Sequence, residues 1–175
     1  MKVVPFGERA WLVYTDRPLA LAAAIPGSVP AEDCVLIHDP QSLEGLQDPP
    51  EPPAGNLVSL PARWDGEDLH DVERQSGLDV VAALHQRVFT VAFCGFAPGF
   101  AYMKGLPPQL HLPRRPRPRP RVPAGSIAIA AGYVAVYPTD SPGGWHLVGH
   151  CDAHLFDPGS TEPALLTPGT RVQFT

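Results

Sequence analysis

Val88-Phe89-Thr90-Val91-Ala92-Phe93-Cys94 runs directly into Gly95-Phe96-Ala97-Pro98-Gly99-Phe100-Ala101-Tyr102. The first segment is β-branched, aromatic and small, the composition of a buried strand. The second sets two glycines and a proline among three aromatics. Glycine allows a tight turn and close backbone approach to a ligand. Phe96, Phe100 and Tyr102 can therefore wall a pocket, or simply pack a rigid turn.

Short strands of the same kind lie on both sides of this stretch. Ile127-Ala128-Ile129-Ala130 and Val134-Ala135-Val136-Tyr137 read as two strands joined near Ala131-Gly132. Trp145 to Cys151, Arg171 to Phe174 and Leu57 to Pro61 add three more. Short strands between Pro/Gly turns predict a closed or nearly closed β-barrel. The 23 prolines and 16 glycines among 175 residues disfavour long helices. The best helical signal spans residues 67–86, broken at Gly77, with Asp79 capping a second helix from Val80 to His85.

Toward the N-terminus, residues 3–14 read as strand. Leu19 to Ile25 forms a short helix opened by Asp16-Arg17-Pro18, and Cys34 to His38 is a buried strand. This β-α-β fragment makes a small lobe over residues 1–47. Asp48-Pro49-Pro50-Glu51-Pro52-Pro53 marks a stiff linker over 48–55, and the main domain follows over 56–175. The expected class is α+β, mainly β.

Charge is distributed unevenly. Residues 1–79 carry 14 acids and 5 bases, whereas residues 80–139 carry 7 bases and no acid. Such a block can attract an anionic ligand, or dock on the acidic first half. Five of its arginines sit in the Pro-Arg alternation of 113–121. Each residue preceding a proline is driven to extended geometry, so the segment is a polyproline II arm or loop. It lacks interleaved aromatics and the chain is acidic overall, which argues against nucleic acid.

Other classes are excluded on similar grounds. No apolar run approaches the ~20 residues of a membrane helix. The first residues lack a signal-peptide layout, and three scattered cysteines suggest reduced thiols, so a cytoplasmic location is expected. There is no Walker loop, dinucleotide fingerprint or G-x-S-x-G elbow. His146, His150 and His154 are spaced by four, but glycines at 143, 144 and 149 favour strand and turn. Residues four apart on a strand are about 13 Å apart, too far to share one ion, so no metal is expected. Gly143-Gly144 backbone amides and the Ser126 and Ser141 hydroxyls could cradle an anion, although Asp140 and Ser141 also suit an ordinary turn.

Several motifs occur in fixed order: the 95–102 stretch, Gly105-Leu106-Pro107, Pro113-Arg114, Pro120-Arg121-Val122-Pro123-Ala124-Gly125-Ser126, Tyr137-Pro138 and Ser141-Pro142-Gly143-Gly144-Trp145. In this arrangement the chain resembles the family of 5-oxoprolinase B subunits, also described as allophanate hydrolase subunit 1. That family includes a sporulation histidine-kinase inhibitor and is similar to part of the urea carboxylase carboxyltransferase domain. The resemblance implies a cyclophilin-like β-barrel with a ferredoxin-like N-terminal lobe, shortened here. It implies a hetero-oligomer with a second cyclophilin-like chain (the C subunit of 5-oxoprolinase, or allophanate hydrolase subunit 2). It also implies ATP-dependent opening of 5-oxoproline to glutamate, with ATP belonging to the complex. A small carboxylic acid would bind Phe96, Pro98, Gly99, Phe100, Tyr102, Arg121, Gly125, Ser126, Ser141, Gly143, Gly144 and His150. His85 matches a family histidine and would transfer a proton or bind ligand. A histidine-kinase inhibitor or allophanate hydrolase subunit 1 are the alternatives. The chain departs from the family where Gly-Gly-Gln-Thr-Gly becomes Ala131-Gly132-Tyr133-Val134-Ala135, and where Gly-Arg-Thr becomes Gly149-His150-Cys151. Histidine in place of arginine gives up the bidentate fork for a carboxylate.

Overall fold

The computed structural model describes residues 1–45, 49 and 54–175. The chain is mainly β. Its N-terminal lobe comprises β1 (Lys2–Pro5), β2 (Trp11–Tyr14), α1 (Pro18–Ala24), β3 (Val29–Pro30) and β4 (Cys34–Ile37). The strands form an antiparallel sheet in the order β1-β2-β4-β3. Residues 3–14 are thus a hairpin rather than one strand. Gly7, at φ +68°, takes the left-handed conformation in the turn. β2 and β4, the strands of the expected β-α-β fragment, are antiparallel, because the short β3 follows α1 and the chain reverses between β3 and β4. α1 buries Ala20 and Leu21, and Leu21 packs with Val13, Val35 and Ile37. The expected linker over 48–55 falls largely outside the described residues.

The larger part contains β5 (Leu57–Leu60), α2 (Leu69–Ser76), α3 (Val80–His85), β6 (Val88–Cys94), β7 (Ala101–Lys104), β8 (Arg119–Val122), β9 (Ser126–Ala130), β10 (Tyr133–Val136), β11 (Ser141–Gly143), β12 (His146–His150) and β13 (Arg171–Phe174). Seven of these strands form one sheet in the order β12-β9-β10-β7-β6-β13-β5. Only the β13–β5 pair is parallel among them. The sheet closes on itself just past β5, where Arg63 bridges His150 at the end of β12. Asp68 N–H then donates to Leu147 O at 2.9 Å, so the 63–68 segment follows β12.

Local sequence accounts for the turns. Gly77, at φ +69°, ends α2 in the left-handed conformation, and Asp79 caps α3 by accepting from Ala82 N–H at 2.8 Å. Ala131 and Gly132 both have positive φ and form the two-residue turn between β9 and β10. Two strands lie in segments read as turn or arm. β7 follows the 95–100 turn, and β8, at the end of the Pro-Arg segment, pairs with β11. Pro120 offers no N–H, and the paired residues lie on either side of it at Arg119 and Val122.

Both faces of the sheet are buried. One face presents Phe89, Val91, Met103, Ile127, Ile129 and Phe174 to Val72, Val80 and Leu84 of the two helices. The other has small residues at Ala128, Ala130 and Ala135 beneath Phe100, Tyr133, Tyr137 and Trp145. The first face supports the barrel, and the second carries the aromatic bay described below. Among the described residues no helix is long and apolar enough to cross a membrane.

Candidate functional site

The bay is built on strand alternation. β9 and β10 send Ile127, Ile129, Val134 and Val136 toward the helices and leave Ala128, Ala130 and Ala135 on the opposite face, with Tyr133 beside them. Those alanines leave room for rings from neighbouring segments. Phe100 sits at the centre, with centroids 5.2 Å from Tyr137 and 5.7 Å from Trp145. Tyr102 lies 5.6 Å from Trp145 and stacks on Phe93 at 4.4 Å. Phe96 is 61% exposed at φ +71° and leans edge-on toward Phe100 at the mouth. Gly143 completes the wall: a Cβ there would lie 2.2 Å from Tyr137 Oη.

Polar groups at the bay have definite charge states. Burial pushes the Tyr102 hydroxyl above its ordinary value, with the Arg114 charge opposing it. Burial raises Tyr137 too; Tyr102 adds to the shift, and Arg114 and Arg119 oppose it. Both phenols are therefore neutral at physiological pH and can donate a hydrogen bond. Arg114 is exposed and has no ion pair among the described residues. The two phenols stand on an aromatic floor within electrostatic reach of the Arg114 guanidinium.

The Pro-Arg arm is held by Asp68, which is only 4% exposed. Its carboxylate accepts from Arg115 Nη1, from Arg119 Nη2 at 2.8 and 2.9 Å, and from Leu147 N–H at 2.8 Å. Arg119 Nε also meets Glu67 at 2.6 Å. These two arginines thus dock on the acidic first half of the chain. Arg115 N–H donates to Gly144 O at 2.7 Å, which fixes the arm to the turn before Trp145.

The residues named from sequence occupy three places. Phe96, Phe100, Tyr102 and Gly143 meet at the bay, with Ser141 on the same strand as Gly143 and Gly144 directly after it. Gly125 and His150 line a second hollow of about 250 Å³ with Pro138, Cys151 and His154. Gly99 backs it, since a Cβ there would lie 2.8 Å from Phe156 Cβ, and Phe156 is part of its lining. Pro98 lies exposed in the preceding turn. Tyr137-Pro138 separates the two spaces. The Tyr137 ring faces the bay, its carbonyl accepts from Gly125 N–H at 2.7 Å, and Pro138 lines the hollow. Ser126 spends its hydroxyl on Pro123 O at 2.7 Å. Arg121 is paired with Asp140, which also accepts from Ala124 N–H at 2.8 Å. The Ala124 bond, then Arg121, holds the Asp140 carboxyl below its ordinary value. His85 stands elsewhere, at the end of α3, with Nδ1 3.0 Å from Phe174 O.

His150 Nε2 lies 2.9 Å from Asp152 Oδ1, and Asp152 Oδ2 meets Arg63 Nη1 at 2.5 Å. The Arg63 bond, followed by that to His150, holds Asp152 low. His146 and His150 both lie on β12, as the glycines around them require, and His146 Nε2 is bonded to Pro113 O. Burial raises the thiols of Cys94 and Cys151. Tyr133, at a departure from the resembled family, donates to Glu32 Oε1 at 2.8 Å and ties the small lobe to the bay. Sequence reasoning left Tyr137 and Trp145 out of the site, although each stands in a motif that marks it. Asp68 carries no such signal, being one acid in an acidic run.

Residues 36–166 match the family described as carboxyltransferase domain, subdomain C and D. The chain is 42% identical over 186 aligned residues to the B subunit of 5-oxoprolinase from Escherichia coli O157:H7, covering 95% of this chain and 84% of that one. It is 40% identical to the Haemophilus influenzae protein of the same name, covering 69% of this chain and 59% of that one. Among solved structures, TTHA0988 superposes with a TM-score of 0.79 at 36% identity, over 95% of this chain and 40% of that one. The Kluyveromyces lactis urea amidolyase shares the fold at 18% identity and a TM-score of 0.69, over 99% of this chain and 14% of that one. A match over three quarters of the chain, with a close relative along nearly its whole length, places it: the chain belongs to the 5-oxoprolinase B-subunit family of carboxyltransferase subdomain C and D proteins.

Proposed function

We propose that this chain is the B-type subunit of an ATP-dependent 5-oxoprolinase. It would act in the cytoplasm with a second cyclophilin-like subunit and open 5-oxoproline to glutamate. The observation that carries this reading is the 42% identity to the E. coli 5-oxoprolinase B subunit along 95% of the chain. The bay supports it chemically. Phe96, Phe100 and Trp145 would cover the ring. The neutral Tyr102 and Tyr137 hydroxyls would donate to the lactam carbonyl. Hydrolysis breaks the ring C–N bond: hydroxide from water goes to the carbonyl carbon and a proton to the nitrogen. The 56–175 domain would carry the bay, and the 1–47 lobe would brace it through Tyr133.

The glycine turns do not fit a triphosphate. Gly125 is pressed on Cys151 O and the His150 ring, and Gly143 on Tyr137, with Arg115, Arg119 and Arg121 already paired to carboxylates. ATP would drive the reaction in the complex, and no step through it is assigned to these turns. The test is co-purification with the partner subunits and incubation with 5-oxoproline and ATP. Glutamate formation that requires this chain and ATP supports the reading, and unchanged 5-oxoproline overturns it. A second reading, a protein-binding module of the kinase-inhibitor kind, is favoured by Phe96, a large ring standing 61% exposed at the bay mouth.

A further inference from the structure

A cavity of about 550 Å³ lies between α2 and the Pro-Arg arm. Its walls are Asp71 and Gln75 of α2, Pro113 to Arg117 of the arm, and His146 of β12. Three arginines therefore border one space. They differ in how their charge is used. Arg115 gives Nη1 to Asp68, and its Nε is buried without a partner among the described residues. Arg114 and Arg117 form no ion pair among the described residues, and both are exposed. The acid in the wall, Asp71, is already paired with Arg74. The cavity is thus lined by uncompensated positive charge in a protein whose net charge is −5.

The backbone that presents these guanidinium groups is pre-set. Pro113, Pro116 and Pro118 restrict the arm, Arg115 N–H is bonded to Gly144 O, and Pro113 O is bonded to His146 Nε2. Little chain entropy remains to be lost when an anion is bound. Guanidinium forks match the oxygens of a tetrahedral oxyanion, and two adjacent free cations favour a dianion over a monocarboxylate.

We propose that this cavity is a phosphate-group site, distinct from the bay, with Arg114 and Arg117 as its principal ligands. The phosphate belongs either to free inorganic phosphate or to the end of a nucleotide. The site does not depend on 5-oxoproline turnover, so its test is separate. The purified full-length chain is titrated calorimetrically with sodium phosphate and with ATP, at fixed ionic strength set by sodium chloride. Saturable binding is expected. Arg117→Ala should weaken it about tenfold, the size of one charge-assisted contact. The Arg114→Ala/Arg117→Ala double variant should abolish it. Melting of the ligand-free variants should match the parent, since neither arginine pairs with the fold. Competition between the two titrants assigns the source to a nucleotide, and phosphate binding without ATP binding assigns it to the free anion. Lack of saturation by both, or an Arg117→Ala variant that binds as the parent does, would overturn the proposal.

Discussion

Arg63 and His150 exchange both backbone hydrogen bonds, at 2.8 and 2.7 Å, and so join the segment after β5 to the far edge of the seven-stranded sheet. The contact is close because Gly149, next to His150, has no side chain. A Cβ there would lie 2.4 Å from Arg63 O and 3.0 Å from the Trp64 ring. Gly66 faces the same seam, where a Cβ would meet Val148 C at 2.3 Å. Backbone cannot yield as a flexible side chain can. Gly149→Ala should therefore force the seam apart and cost about 1–3 kcal/mol, the range for overpacking a tight site. Urea unfolding followed by tryptophan fluorescence reads this directly, with Gly159→Ala as a control: there a Cβ meets only the Asp157 side chain, at 3.3 Å.

Asp68 organises the Pro-Arg arm. It is nearly fully buried, and it balances Arg115 and Arg119 while accepting from Leu147 N–H. Asp68→Ala would leave Arg119, whose side chain is 14% exposed, without its main counter-charge. Removing one partner of such a group costs about 3–5 kcal/mol. The variant should unfold at markedly lower urea. If it still folds, trypsin should cut after Arg114, which no proline follows, faster than in the parent.

Much of the fold was legible because local chemistry and tertiary structure agree. Gly77 and Asp79 separate two helices where the sequence says they do, and Val88–Cys94 is the strand its composition predicts, with a register shift between Val91 and Phe93. The failures have physical causes. β7 was hidden because Ala101 and Tyr102 belong to an aromatic-rich turn whose strand pairing is decided by the preceding β6 and the distant β10. β8 was hidden because polyproline geometry and an edge strand share the same extended backbone. In the site, Phe96, Phe100 and Tyr102 could be grouped from one contiguous motif. Arg114 could not be separated from its neighbours, since only the position of Asp68 decides which arginines are neutralised. The roles expected of Arg121 and Ser126 meet similar competition, because both side chains are bonded to partners that sequence does not place.

The two phenols give the bay a testable asymmetry. Tyr102→Phe and Tyr137→Phe each remove a hydroxyl and keep the ring packing that holds Phe100 and Trp145. Neither hydroxyl has a protein hydrogen-bond partner among the described residues, so stability should change by less than about 0.5 kcal/mol. Binding of 5-oxoproline by the assembled subunits should weaken by about fivefold to tenfold in each variant, the value of one hydrogen bond to ligand. Unchanged affinity in both variants would remove the phenols from the site.

Tyr133 links the small lobe to the barrel through Glu32 while touching Phe93 and Tyr102 edge-on. Tyr133→Phe keeps these rings and loses only the hydroxyl. The hydrogen bond to a carboxylate is worth about 1 kcal/mol at a partly exposed site. The melting temperature should fall by a few degrees, as expected for that loss in a chain of this size. Glu32→Gln should fall less, because its amide oxygen can still accept.

Asp140 gives a pH signature. Its carboxyl lies below the ordinary 3.8 because Ala124 N–H and Arg121 both favour the charged form. A folded-state value below the unfolded one means that the carboxylate adds stability above the ordinary value. That contribution is lost as pH falls through the lower folded value. Asp140→Asn should therefore melt below the parent at pH 7, and the gap should close only under acidic conditions beneath the ordinary carboxylate range. The introduced amide oxygen can still accept from Ala124 N–H, so high ionic strength, which weakens the exposed Arg121 pair, should narrow the gap. A gap unchanged by high salt at pH 7 would show that the Arg121 pair does not set it.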